Sequence, residues 1–259
     1  MQRRILIIDD HDDLATAIEE VFTAIGHSVT LLDNRAAAIE VTDLEQFDVV
    51  ITDLDVYPTH ASKNGTSPSL DAAPEHVKAF KVTASNFRRD EFDESELKDI
   101  VATILDYKIR HIDTKEDVQD LHEHIEFEVP SALSLMHVVL EYLMQRVEKL
   151  GVVKSEQSNL FVALDEAFVN AVKHGNKFDA RKLVRIIADV SMKEARFTIE
   201  DEGEGFDVNA IPDPLDPANL FKTSGRGVLF IYNIMDEVKY NERGNRLTMV
   251  KRSDREATT

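Results

Sequence analysis

Cysteine is absent from the 259 residues, and so is tryptophan. Without thiols there is no disulfide, no thiolate nucleophile and no zinc site built on cysteine. Basic residues are few beside the acids: Lys+Arg total 30 and Asp+Glu 49, a formal net charge of −19. A surface that acidic repels phosphate backbones and anionic lipid. The densest basic runs are mere pairs, Arg3-Arg4, Arg88-Arg89 and Lys251-Arg252, so neither nucleic acid nor a membrane surface is expected as a partner. No apolar run approaches the ~18 residues of a membrane span. Ile5 to Ile8 after Arg3-Arg4 is too short for a secretion signal, and a cytoplasmic protein is expected. Hydrophobic residues make up 43 % and charged residues 31 %, ordinary for a globular chain long enough for one large domain or two small ones.

The first stretch alternates strand-like and helix-like segments. Ile5 to Ile8 is an apolar run suited to a buried parallel strand, ended by Asp9-Asp10. Leu14 to Ile25 has helical periodicity, with Gly26 placed to cap it. Val29 to Leu32 predicts a second strand, Arg35 to Leu44 a second helix, and Val49 to Ile51 a third strand ending at Asp53. This βαβαβ order predicts an α/β, doubly wound parallel sheet with its site at the carboxyl ends of the strands. Thr59 to Pro74 is rich in Ser, Thr, Gly and Pro and reads as a loop. Ala79 to Thr83 regains strand character, Glu94 to Tyr107 is helical, and His111 to Lys115 is expected as a last short strand.

A second unit begins near His124, giving expected domains at 1–115 and 124–252, a linker at 116–123 and a tail at 253–259. Ile125, Phe127 and Val129 alternate with acids like a half-buried strand. Ser131 can cap a helix whose Met136, Leu140, Leu143, Val147 and Leu150 form one stripe, closed by Gly151. Ser155 to His174 predicts another helix, 183–191 and 196–201 an antiparallel pair, 211–224 a loop, 228–236 a helix and 247–251 a strand. Elements grouped this way suggest an α+β sandwich, helices on one face of a mixed sheet.

On the helix ending at His174, Glu166, Asn170 and Lys173 share the face opposite the apolar stripe. Three polar residues alone suit a solvated face, but carboxylate and amide oxygens also suit Mg²⁺, and Lys suits phosphate. Asp201-Glu-Gly-Glu-Gly205 follows a strand directly. It is either a plain turn or a place where a flat base approaches backbone while Asp201 accepts from its exocyclic amine. Thr223-Ser-Gly-Arg-Gly227 leads into a helix, where bare N–H groups can meet an anion.

Taken in order, Leu164-Asp-Glu-Ala-Phe-Val-Asn-Ala-Val-Lys-His-Gly175, Asp201-x-Gly-x-Gly205 and Ser224-Gly-Arg-Gly-Val-Leu-Phe-Ile resemble the GHKL ATPase fold, and more narrowly the anti-sigma-factor serine kinases of the RsbW type. The resemblance covers about 124–252 and implies ATP and Mg²⁺. It implies that Glu166 polarises the acceptor hydroxyl and that Asn170 holds Mg²⁺, with Lys173 and His174 beside the phosphates. It further implies that Asp201 binds adenine over Gly203 and Gly205, and that Gly225, Arg226 and Gly227 close on the phosphates below a lid at 211–224. The implied partners are a STAS anti-anti-sigma protein, as the phosphorylated substrate, and a sigma factor. A homodimer is compatible with the family.

In the first unit, Asp9, Asp10 and Asp53 are expected to converge at one sheet edge, where three carboxylates repel unless a divalent cation sits among them. Thr83 ends the next strand. This arrangement resembles the response-regulator receiver domain, which is flavodoxin-like. The resemblance implies that Asp53 is the phospho-acceptor, served by an upstream histidine kinase. It makes Asp9 and Asp10 metal ligands together with Asp53 and the Asp55 carbonyl, Thr83 the switch residue and Lys115 the conserved-type lysine. The combined expectation is a receiver controlling an ATP-dependent serine/threonine kinase. Two alternatives stay open: a non-catalytic, ATP-bound sequestering switch, and an atypical histidine kinase using His122, His124 or His137.

Overall fold

The computed structural model describes residues 2–10, 13–33, 44–56, 77–89, 92–115, 121–154, 159–208 and 226–253. The expected helix at 35–44, the loop at 59–74 and the lid at 211–224 lie outside them, apart from Leu44.

Nine strands form one sheet in the order β2-β1-β3-β4-β5-β6-β7-β9-β8. They are β1 (Arg4–Asp9), β2 (Ser28–Leu32), β3 (Val49–Val56), β4 (Val77–Thr83), β5 (Glu123–Pro130), β6 (Leu183–Val190), β7 (Glu194–Asp201), β8 (Glu237–Tyr240) and β9 (Arg246–Arg252). The helices are α1 (Asp13–Ala24), α2 (Glu94–Tyr107), α3 (Leu133–Lys149), α4 (Leu160–Val169) and α5 (Arg226–Ile234). No helix among the described residues is long and apolar enough to cross a membrane.

β1 is apolar on both faces because it lies between β2 and β3, parallel to each. Ile5 and Ile7 join Leu14, Ile18 and Phe22 of α1 in the main core, while Leu6 and Ile8 pack with Phe47 on the other face. Gly26 closes α1 with φ +95°, the left-handed conformation of a helix cap. Asp93 caps α2, its carboxylate accepting from the Glu96 N–H at 3.0 Å. β5 is half-buried as its alternation requires: Ile125, Phe127 and Val129 are buried and Glu126 and Glu128 are not. The α3 stripe of Met136, Leu140, Leu143 and Val147 is buried, and Gly151 follows at φ +74°.

Four expectations need correction. The N-terminal part of the sheet is mixed, not doubly wound and parallel, because β4 runs antiparallel to β3. β4 then pairs parallel with β5, so residues on both sides of the expected linker share one sheet and one main core. Residues 108–115, expected to end in a strand, form a π-helical turn (Lys108–Ile112) and a 3₁₀ turn (Asp113–Lys115) continuing α2. Ser131 does not cap α3: Ala132 holds that position, and the Ser131 hydroxyl donates to the Lys182 carbonyl at 3.0 Å. β8, unforeseen, is a short edge strand on β9.

Candidate functional site

α4 ends at Val169 and the chain continues as a π-helical turn, Asn170–Gly175. Such widened turns recur at functional sites, and this one breaks the regular helical projection from which Glu166, Asn170 and Lys173 are placed on one face. Glu166, Asn170 and His174 line a cavity of about 410 Å³, together with Asp201, Gly205 and Gly227. Lys173 is exposed and does not line it. Gly225 and the Arg226 side chain lie outside the described residues, although Arg226 is the first residue of α5.

Three contacts explain why glycine stands where it does. A Cβ added at Gly175 would collide with the Asp201 carboxylate, and one at Gly227 with the carboxylate of Glu166. At Gly203 it would lie 2.7 Å from Asp201 Oδ1. The Gly203 N–H donates to that same oxygen at 2.8 Å. Burial raises the Asp201 carboxyl above the ordinary aspartate value, with the Gly203 N–H and then Lys182 and Arg243 acting the other way. Gly205, at φ +78°, has no room for a side chain against the Arg243 carbonyl.

The sequence reading misses the scaffold of this loop. The buried Asn176 side chain donates to Ser131 Oγ at 2.6 Å and to the Leu183 carbonyl at 2.8 Å, and accepts from the Glu202 N–H at 2.9 Å. Asn245 Nδ2 donates to the Asp201 carbonyl at 2.7 Å, and Arg243 donates to that of Gly203, also at 2.7 Å. Both come from the β8–β9 turn, where the Asn241 carboxamide oxygen accepts from the N–H groups of Gly244, Asn245 and Arg246. The signal for that turn is Asn241-Glu-Arg-Gly-Asn245 between two short strands. Tyr240 and Phe206 meet edge to face at 5.3 Å and line the cavity with Ile199 and Leu247. Burial, then Tyr232 and Glu166, pushes the Tyr240 hydroxyl up to about 12.

Apolar walls, an aromatic pair and one half-buried carboxylate suit a flat heterocycle with an amine to donate. The glycines let it lie against backbone. Glu166 and Asn170 offer hard oxygen donors of the kind Mg²⁺ takes alongside phosphate oxygens. The residues therefore fit ATP and Mg²⁺.

The N-terminal carboxylates behave differently. Asp9 is buried and accepts from the Leu14 and Ala15 N–H groups at 2.9 and 3.0 Å, anchoring the start of α1. Asp10 accepts from the Asp55 N–H at 2.9 Å. Asp9 lies opposite Asp53 across β1 and β3, and the Asp10 N–H donates to the Asp53 carbonyl at 3.4 Å, so the three acids do meet at one place. Among the described residues, though, no group of three acidic or histidine side chains is placed to hold a metal ion. Asp53 lies within β3, not at its end, and pairs with Phe80, whereas Thr83 pairs with Val50. The antiparallel course of β4 thus carries Thr83 away from Asp53. Lys115, in the 3₁₀ turn, is exposed. The lysine at Asp53 is Lys108, whose Nζ donates to Asp53 Oδ2 at 2.8 Å. Burial raises the Asp53 carboxyl, with Lys108 pulling it the other way.

Residues 129–251 match the family model for the histidine kinase-like ATPase domain. The serine-protein kinase RsbW of Staphylococcus epidermidis is 26% identical over 142 residues, which is 52% of this chain and 89% of that relative. Its counterpart in Staphylococcus aureus strain JH9 is 25% identical over 142 residues, with the same shares covered. The matched family segment contains every residue named at the cavity and none of the N-terminal carboxylates.

Proposed function

We propose that the protein is an ATP-dependent serine/threonine kinase of the anti-sigma type, with the C-terminal half as the kinase and residues 1–115 as its control unit. The observation that carries the catalytic reading is a single cavity. It joins Glu166 and Asn170 of one helical segment, the Asp201–Gly205 loop and the Gly227 helix start, and the likeness to serine-protein kinases supports the same reading.

In this reading Asp201 accepts from the adenine amine while Ile199, Leu247 and the Phe206–Tyr240 pair enclose the ring. Glu166 takes the proton of the acceptor hydroxyl as its oxygen attacks the γ-phosphorus. The new O–P bond forms, the bond to the β,γ-bridging oxygen breaks, and ADP leaves. Mg²⁺, held by Asn170 and phosphate oxygens, supplies charge neutralisation when bound. Most of the catalysis is then positioning, which the rigid glycine contacts provide. His174, at the cavity wall, lies beside the phosphates.

The substrate is a serine or threonine on a STAS anti-anti-sigma protein, and the client a sigma factor. Phosphorylation adds about −2 charge to the STAS surface and dissolves its complex with this acidic protein. In the control unit, Asp53 held by Lys108 is the input, and an upstream histidine kinase its phosphate donor. The kinase is tested with γ-labelled Mg·ATP and a panel of STAS proteins from the same organism. Acid-stable label on a STAS protein, absent with Glu166→Ala, is the expected result; undiminished labelling by Glu166→Ala would refute the role of Glu166.

A further inference from the structure

A chain of buried charges runs from β3 into the ATPase half, and nothing in the phosphoryl-transfer reading uses it. Lys108 Nζ lies 2.8 Å from Asp53 Oδ2 and 3.3 Å from Asp113 Oδ1. Asp113 in turn lies 3.1 Å from Arg146 Nη1 of α3. Arg146 grips Glu123, the first residue of β5, through Nε at 2.9 Å and through Nη2. The Lys108, Asp113, Arg146 and Glu123 side chains are each at most 5% exposed, and Asp53 at the outer end is 12% exposed.

Asp53, Asp113 and Glu123 share this stretch with Lys108 and Arg146, and in a low-dielectric interior the position of each cation responds to small changes of charge beside it. Asp9 and Lys78 also act on Asp53 from neighbouring strands, with opposite signs. Glu123 and Arg146 form a two-pronged pair, so the shared partner is Lys108, within reach of two carboxylates at once. Beside the chain stands Tyr142 of α3, packed against Phe80 and Phe127. Its hydroxyl is buried and finds no hydrogen-bond partner among the described residues. A buried hydroxyl without a partner raises the energy of the arrangement that strands it, so a rearranged neighbour able to accept from it has something to gain.

We propose that Lys108 is a two-position cation, shared by Asp53 and Asp113, and that its position sets how α3 sits against the nucleotide site. Removing the charge of Asp53 moves Lys108 wholly onto Asp113. Adding negative charge at Asp53 draws Lys108 away and leaves Asp113 to Arg146 and the Tyr142 hydroxyl. Because α3 packs on both α2 and α4, a shift of Arg146 and Tyr142 reaches the helix that carries Glu166. This coupling to the cavity rests on reading the cavity as an ATP site; the movement of Lys108 does not.

The test uses the full chain with ring-labelled tyrosine, whose NMR spectrum holds five residues, the Tyr142 signal being assigned through Tyr142→Phe. Asp53→Asn is introduced alone and in an Asp113→Asn background, in which Asp53 on its own still holds Lys108 and Glu123 still holds Arg146. The expected result is that Asp53→Asn moves the Tyr142 signal and changes the Kd for Mg·ATP roughly five-fold, and that Asp113→Asn abolishes both responses. A Tyr142 signal that ignores Asp53→Asn, or responds equally without Asp113, overturns the switch. A moving signal with an unchanged Kd overturns its link to the cavity. A wild type that binds no Mg·ATP refutes the ATP reading and the link with it, while the tyrosine signal still decides whether Lys108 moves.

Discussion

The two ends of the one sheet present their acids in opposite ways. At the β7 end, Asp201 is half-buried at a cavity wall, flanked by glycines whose lack of side chains keeps space open beside it. At the β1–β3 end, Asp9 and Asp10 are occupied by backbone N–H groups and Asp53 by a buried lysine. The first arrangement is open to the cavity, because its carboxylate is half-buried beside apolar walls. In the second the buried Asp9 and the mostly buried Asp53 are held by partners from the fold itself, and Asp53 is tied through Lys108 to further buried charges. Carboxylates in similar sequence settings, each near the end of an apolar strand, thus differ according to what the following loop brings back to them.

Substitutions can break this contrast, and the largest effects belong to the cavity. Gly227→Ala drives a methyl into the Glu166 carboxylate, and phosphoryl transfer should fall by at least the ~10²–10⁴-fold that a positioned acid or base contributes. Steady-state transfer to a STAS protein measures it. Asp201→Asn keeps the shape but weakens a charge-assisted bond, and the Kd for ATP should rise about ten-fold or more, read by calorimetry.

At the other end the effect is on stability. Arg146→Met removes the two-pronged partner of buried Glu123 and leaves Asp113 to Lys108, at a cost of about 3–5 kcal/mol, so the Tm should drop by roughly 10 °C. Lys115→Ala should leave the Tm unchanged, since that lysine is exposed and far from the role Lys108 fills. An equal loss in both variants would remove the distinction drawn between the two lysines.

The smallest effect is a pH dependence at the β5–β6 pair. Bonds to Asp189 and then Glu126 raise His124 to about 9. A histidine whose folded value lies above its unfolded ~6.5 contributes stability that is complete below that pH. The contribution fades as pH climbs through 9. The Tm gap between wild type and His124→Gln should therefore shrink from pH 6 to pH 10. A gap that stays constant would show that His124 does not titrate as described.

Much of the C-terminal architecture is legible in the sequence because its information is local. The alternation of Ile125, Phe127 and Val129, the stripe of α3 and the order of Glu166, Asp201 and Gly227 can each be found within a few residues of chain. What escapes is information carried at a distance. The direction of β4 is expressed in its pairing, antiparallel to β3 and parallel to β5, and no periodicity in Ala79 to Thr83 encodes it. Lys108 reaches Asp53 only because a π-helical turn extends α2, where hydrophobic spacing suggests a strand ending in Lys115. Asn176, through three side-chain hydrogen bonds, and Asn245, through one to the Asp201 carbonyl, hold the Asp201 loop in a way that no motif spacing reveals. The π-helical turn at Asn170 likewise removes Lys173 from the face that a regular helix would give it.

The most direct measurement is transfer of label from γ-labelled Mg·ATP to a STAS protein by the full chain, followed by acid treatment. Acid-stable label on the STAS protein, lost with Glu166→Ala and with Gly227→Ala, is what a serine/threonine kinase at this cavity predicts. Acid-labile label on the protein itself, or firm ATP binding with no transfer to any STAS protein, would contradict it.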